Sequence, residues 1–251
     1  MEYRRAQGAP LEVRITADGS RTLFDARAGQ TYHSDRGAWA ETRHVFLEGS
    51  GVADRLRPGT TVRIVEVGLG TGANLLASWD AARAAGARLH YRALERTPPP
   101  PAVVAALGLE ERLADPSLVD AWLEVLADLA EVRGPTGRAY RPADDLTLEV
   151  ALGDAAAGPD GAPTGPAARV LEPGWAEAIY HDAFSRDVSP TLWSQGFLRA
   201  CARALAPGGA WVSYSVAGEV RRRLRAAGLN ATKRPGPPGG KREMTRAVRP
   251  S

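Results

Sequence analysis

Three glycines at alternate positions, Gly68, Gly70 and Gly72, end an apolar run formed by Val62, Ile64, Val65 and Val67. No other stretch of the chain constrains its fold as tightly. A nearly continuous apolar strand suits a parallel sheet covered by helices on both faces. Glycines at its end let the chain turn sharply and let a ligand approach the main chain more closely than a Cβ would permit. The pattern predicts a doubly wound α/β sheet that seats a nucleoside-bearing cofactor on the turn after this strand.

The glycine spacing leaves the identity of that cofactor open. It is GxGxG, whereas dinucleotide binders carry GxGxxG, and Ala73 preserves only the relaxed GxGxxA form through Gly68 and Gly70. A dinucleotide and a plain glycine-rich turn both remain compatible with it. Glu66, two positions before Gly68, narrows the choice. A carboxylate expected to face the cofactor would repel a pyrophosphate and attract a sulfonium or ammonium, which is the chemistry of S-adenosyl-L-methionine. Glu95 closes the next predicted strand, 89–95, where an acid accepts hydrogen bonds from ribose hydroxyls. Asp154, after Gly153 at the end of a predicted strand 146–154, either meets an adenine amino group or makes an ordinary turn.

The remaining elements fit the same plan. Alternation around Asp18 and Gly19 predicts an N-terminal β-hairpin over 11–26, and we expect 1–30 to be an appendage to a domain spanning 31–251. Helical spacing appears from 36 to 56, from 74 to 85, around 101–113 and over 117–132. Residues 158–166, rich in Gly and Pro, read as a flexible or variable surface insertion. Residues 177–184 read as a fourth core strand with Asp182 at its carboxyl end. A helix from Ser189 to about Leu205, a strand over AWVSYSV, a helix 217–228 and a final antiparallel hairpin near 230–248 complete a mixed sheet.

Composition excludes several classes. The 251 residues hold no apolar stretch approaching the roughly 18 needed to span a membrane, and the N-terminus shows no signal-peptide pattern. One cysteine, Cys201, excludes an internal disulfide framework and falls in a helical apolar pattern that reads as core. The four histidines lack metal-ligand spacing, so no metal site is expected. A cytoplasmic protein is the expectation. Charge is uneven: from Glu219 onward ten Arg or Lys stand against two Glu. Arg221, Arg222, Arg225, Lys241 and Arg242 fit either a polyanion-binding face or a solvated arginine-rich helix.

Five segments in one order, TYHSDRGAWAETRHVFLEGSG, VEVGLGTGANLL, HDAFSRDVSPTLWS, LAPGGAWVSYSVAGEVRRRLRAAG and KREMTRA, resemble the methyltransferase half of the bifunctional tRNA-modifying MnmC family. The resemblance covers most of 30–248, and its YHS, ETRHVFLEG and KREM blocks are the specific part. It implies a Rossmann-like methyltransferase sheet, mixed through an antiparallel C-terminal strand, and methylation by S-adenosyl-L-methionine of the exocyclic amine of 5-aminomethyl-uridine, often 2-thiolated, at the tRNA wobble position. By position it implies cofactor contacts at Glu66, Gly68, Gly70, Gly72, Glu95, Gly153, Asp154, Ala155 and Asp182. Tyr32, Ser34 and Glu41 belong to the block expected to fold over the cofactor. Asp182 and Phe184 match the segment at the methyl-transfer centre. Asp182 would orient the amine and handle its proton, or merely cap a helix; Phe184 would stack on the uracil or fill the core. His181 departs from the family, which has an apolar residue there, and is either a proton relay or an accommodated side chain. A stand-alone monomer without flavin is expected, with the basic C-terminal face gripping the anticodon stem. Two alternatives stand beside this reading: an N-methyltransferase of a small amine or polyamine, and a non-catalytic RNA-binding relative.

Overall fold

The computed structural model describes residues 2–4 and 10–251. Residues 1 and 5–9, part of the expected appendage, lie outside the described residues. Strands β1 (Glu2–Arg4), β2 (Pro10–Ile15), β3 (Arg21–Asp25) and β4 (Gln30–Thr31) form an antiparallel sheet in that order. The expected hairpin is present as β2–β3, with a further strand on each side. Its turn is fastened by Asp18, whose carboxylate accepts hydrogen bonds from Thr16 Oγ1, from the Ser20 amide and hydroxyl, and from the Ala40 amide. Burial opposes ionisation of Asp18, but these bonds outweigh it and lower the pKa to about 2. The Ala40 bond ties the hairpin to helix α1 (Ala38–Glu41), which runs into a π-helical stretch, Thr42–Glu48, and then α2 (Val52–Arg55).

The second sheet contains β5 (Thr61–Val67), β6 (Arg88–Glu95), β7 (Thr136–Ala143), β8 (Leu146–Leu152), β9 (Ala176–His181), β10 (Leu205–Ser213), β11 (Asn230–Pro235) and β12 (Glu243–Val248). Their order is β11-β12-β10-β9-β5-β6-β8-β7. The five strands from β10 to β8 are parallel, and β12, β11 and β7 pair antiparallel at the two edges. Helices α3 (Ala73–Ala84), α4 (Pro101–Ala105), α5 (Ser117–Glu131), α6 (Gly165–Val170), α7 (Gln195–Ala204) and α8 (Gly218–Ala226) complete the fold.

Strand alternation explains the layering. Val62 and Ile64 of β5 join one core with Leu75, Trp79 and Trp122 of α3 and α5, while Val65 and Val67 join the other with Val170, Phe197 and Leu224 of α6, α7 and α8. Leu11 and Leu23 of the N-terminal sheet belong to the first core. The chain runs outward from β5 in both directions, so the order reverses between β5 and β9. Ligands of open α/β sheets settle at the carboxyl ends of strands flanking such a point.

Two stretches differ from the sequence reading. Strand β7 is absent from it because TGRAYRPA is largely exposed and carries no apolar alternation. The 158–166 stretch is fastened rather than a free surface insertion: the Ser194 hydroxyl donates to the Asp160 carbonyl and accepts from the Phe197 amide, so one side chain caps α7 and anchors the loop. Among the described residues no helix is long and apolar enough to cross a membrane, and no cluster of three or more His, Cys, Asp or Glu could hold a metal ion.

Candidate active site at the carboxyl ends of the central strands

The ends of β5, β6, β8 and β9 open into a cleft of about 900 Å³. Gly68 and Gly70 follow β5, Glu95 ends β6, Gly153, Asp154 and Ala155 follow β8, and Asp182, Ala183 and Phe184 follow β9; all line this cleft. Asp25, Arg27, Ala28, Tyr32 and His33 form the wall contributed by the N-terminal region, and residues 187–192 form the outer rim. The two walls are tied reciprocally: Gln30 Nε2 donates to Ser185 Oγ and the Ser185 amide donates to Gln30 Oε1.

Glycine is required in the loop for steric reasons. At Gly68, φ is +91° and a Cβ would lie 2.8 Å from the Asp182 carbonyl oxygen, so β5 and β9 can close on each other only without a side chain there. Gly72, with φ of +80°, precedes α3, and a Cβ would lie 2.5 Å from the Trp122 ring. Trp122 cannot retreat cheaply, because it is 1% exposed and its Nε1 donates to the Thr71 carbonyl at 2.8 Å. Gly72→Ala is expected to lower unfolding free energy by about 2–5 kcal/mol, the sum of left-handed backbone strain and overpacking. A denaturant titration with an unchanged midpoint would contradict this.

Glu95 splints the loop. Its Oε2 accepts from the Gly70 amide and its Oε1 from the Thr97 amide, each at 2.8 Å. Beneath the loop a chain of buried polar groups leads to the cleft. Tyr91 Oη donates to Glu66 Oε2, and Asn74 Nδ2 donates both to Glu66 Oε1 and to Asp182 Oδ2, each at 2.8 Å. Burial, aided by the neighbouring Asp182 charge, raises the pKa of Glu66 well above the usual carboxylate range. Burial and the charge of Glu41 do the same to Asp182, against the Asn74 hydrogen bond and Lys241. The Asp182 side chain is 4% exposed, with His33 Nε2 lying 3.5 Å from Oδ2. Lys241 Nζ sits 4.1 Å from the centre of the Tyr214 ring, whose hydroxyl donates to the Ala183 carbonyl.

The structure thus brings Tyr32, Gly68, Gly70, Glu95, Gly153, Asp154, Ala155, Asp182 and Phe184 into one cleft. Tyr32 and Phe184 meet edge to face at 5.2 Å. Four expected cofactor residues are placed elsewhere. Glu66 does not face the cleft: it shares the face of β5 with Val62 and Ile64, lies under α3, is fully buried, and reaches Asp182 only through Asn74. The Ser34 amide donates to the buried Glu41 carboxylate and the Ser34 hydroxyl accepts from the Arg36 amide; neither Ser34 nor Glu41 lines the cleft. Gly72 serves the packing of Trp122. His181 points to the opposite face from Asp182 and sits among Trp193, Phe197 and Trp211, where burial pushes its pKa down to about 3. It stands as a neutral ring and does not line the cleft.

The basic residues divide. Arg221 donates to the Val216 carbonyl and Arg225 to the Ala231 carbonyl, bracing the ends of α8, and Lys241 faces Tyr214; Arg222, Arg225, Lys241 and Arg242 are all exposed. Sequence reasoning missed Asn74 and His33. An Asn two positions after Gly72, just before Leu75 and Leu76, is the signal for the first, and the central position of His33 in the YHS block for the second.

Comparison with known proteins adds the following. Residues 118–250 match the family described as S-adenosyl-L-methionine-dependent methyltransferase. The chain is 35% identical over 244 residues to the "tRNA 5-methylaminomethyl-2-thiouridine biosynthesis bifunctional protein MnmC" of Cupriavidus metallidurans, covering 94% of this chain and 33% of that protein. It is 34% identical to the protein of the same name from Aromatoleum aromaticum, covering 94% of this chain and 35% of that one. The chain spans about a third of the length of these curated relatives. Among solved structures it is similar to MNMC2 from Aquifex aeolicus, with a TM-score of 0.71, 25% identity, and coverage of 99% of this chain and 74% of that one. It also shares its fold with spermidine synthase from Thermotoga maritima, at a TM-score of 0.53, 12% identity, and coverage of 99% and 71%.

Proposed function

We propose, from the premise that this chain belongs to the S-adenosyl-L-methionine-dependent methyltransferase family, that it methylates the exocyclic amine of 5-aminomethyl-uridine, with or without 2-thiolation, at the wobble position of tRNA. The observation that carries this reading is Asp182: a buried carboxylate at the switch point of the sheet, with Oδ1 lacking a hydrogen-bond partner among the described residues and with Phe184 two residues away. The MnmC proteins to which the chain is similar are named for biosynthesis of 5-methylaminomethyl-2-thiouridine in tRNA.

The residues present fit the cofactor. Asp25, Glu95, Asp154, Asp182 and Asp187 line the cleft against two cations, Arg27 and Arg96, an acidic excess of acceptors that favours a cation bearing hydroxyls and an amine over a pyrophosphate. When bound, the cofactor supplies a methyl group activated on a sulfonium. Glu95 would hold the ribose hydroxyls while its other bonds keep Gly70 in place; Gly153, Asp154 and Ala155 would border the adenine; Gly68 and Gly70 would offer main chain at close range. Asp182 would accept hydrogen bonds from the substrate amine and fix its direction, since a displacement of this kind is governed by alignment. Phe184, braced by Tyr32, would stack on the extruded base. The N-terminal residues up to 30 would act as an appendage walling the cleft through Asp25, Arg27 and the Gln30–Ser185 tie. Arg222 and Arg242 would add phosphate contacts.

A competition assay tests this reading against a small-amine acceptor, which the acidic cleft also suits. With labelled cofactor, 5-aminomethyl-uridine tRNA and excess spermidine in one reaction, label is expected in the tRNA, with affinity for it falling about tenfold or more between about 50 and about 200 mM salt. Label in spermidine alone would replace the acceptor.

A further inference from the structure

We propose that His33 is the residue that takes the proton from the substrate's ammonium group, acting as a dyad with Asp182. This rests on the amine acceptor proposed above and extends it to a residue for which neither the family match nor the resemblance supplies a role. The problem it solves is chemical. An alkylammonium such as that of lysine keeps its proton to about pH 10.4 in water, and a protonated nitrogen has no lone pair to accept a methyl group.

Four observations converge on His33. The residue lines the cleft beside Tyr32 and Asp182. Its side chain is 7% exposed, and Nε2 is buried without a hydrogen-bond partner among the described residues. That nitrogen lies 3.5 Å from Asp182 Oδ2, too long for a hydrogen bond and close enough to pair once a proton arrives. The ring is positioned from its own backbone, since the His33 amide donates to Thr22 Oγ1 of β3. Burial pushes the imidazole down to about 4, so it stands neutral but is a weak base until Asp182 ionises beside it. Asp182 ionises more readily once a cation shares the cleft, and an ionised Asp182 raises the basicity of the imidazole beside it. The charged groups around the pair are Glu41 from α1, Glu66 from β5, Lys241 from the β11–β12 loop, and Asp25 and Arg27 from the N-terminal wall.

The step balances. An N–H bond of the ammonium breaks, the proton joins Nε2 to give an imidazolium paired with the Asp182 carboxylate, and the N–H electron pair remains on nitrogen as the lone pair to be methylated. After product release the imidazolium loses its proton to water.

The test compares the wild type with His33→Gln and His33→Phe on an anticodon stem-loop RNA carrying 5-aminomethyl-uridine. Both variants are expected to bind cofactor and to lose about 10²–10⁴-fold in kcat/KM near pH 7. They regain most of that loss toward pH 10, where the amine sheds its proton unaided. A second readout is independent of turnover. In ¹⁵N NMR with S-adenosylhomocysteine at about pH 7.5, the His33 ring is expected to become protonated on binding the aminomethyl RNA and to stay neutral with unmodified RNA. A loss that is the same at every pH, no loss at all, or a ring that stays neutral with the aminomethyl RNA would overturn the proposal. Failure of the acceptor reading is distinct: a wild type that methylates no aminomethyl RNA at any pH would remove the amine, and this role with it.

Discussion

Replacing Asp182 by asparagine is expected to slow methyl transfer about 10²–10⁴-fold while making the ligand-free protein more resistant to heat at neutral and alkaline pH. Both effects have one cause. Burial and the nearby Glu41 raise the folded-state pKa of Asp182 well above its unfolded value, which is about 3.9. A carboxyl shifted in that direction supports the fold below its unfolded pKa, and that support is lost as pH rises through the raised value. Asparagine keeps an oxygen for the Asn74 amide and carries no charge to desolvate. The melting-temperature gain is therefore expected at about pH 8 and should shrink toward about pH 4. Cofactor affinity, supported also by Glu95 and the glycine loop, should fall much less than turnover. Unchanged turnover would remove Asp182 from the chemistry, and a melting temperature lowered at all pH values would contradict the electrostatic account.

The second large effect is expected at Glu95. Glu95→Ala removes the acceptor for two main-chain amides at once, Gly70 and Thr97, and the residue expected to bind ribose. Hydrogen bonds to an ionised acceptor contribute about 1.5–3 kcal/mol each. Calorimetric affinity for S-adenosyl-L-methionine should weaken about 100-fold or more, with Glu95→Gln intermediate because it retains one acceptor oxygen. Wild-type affinity in Glu95→Ala would place the ribose elsewhere.

How much of this site was legible beforehand depends on what each residue's signal is. Gly68, Glu95, Gly153, Asp154 and Asp182 can be placed at one cleft from the sequence because each punctuates the end of an apolar strand, and strand ends in a parallel sheet converge on one edge. Glu66 was assigned to the right strand but to the wrong surroundings. Alternation puts it with Val62 and Ile64 beneath α3, where Tyr91 and Asn74 bind it. The link from Glu66 through Asn74 to Asp182 crosses three separate elements and leaves no periodic trace. The same holds for His33, which meets Asp182 only because the N-terminal sheet folds over β9. At the other end, charge count alone could not show that Arg221 and Arg225 are engaged with the Val216 and Ala231 carbonyls that flank α8. Strand β7 was invisible because an exposed edge strand needs no apolar alternation.

The most direct test is the identity of the methylated nucleoside. Purified protein would be incubated with S-adenosyl-L-methionine and tRNA carrying 5-aminomethyl-uridine at the wobble position, and the tRNA digested and resolved by mass spectrometry. The account predicts conversion of that one nucleoside to its 5-methylaminomethyl form, with unmodified tRNA unchanged. Methylation at any other nucleoside, or an aminomethyl nucleoside left intact while the protein binds cofactor normally, would contradict it.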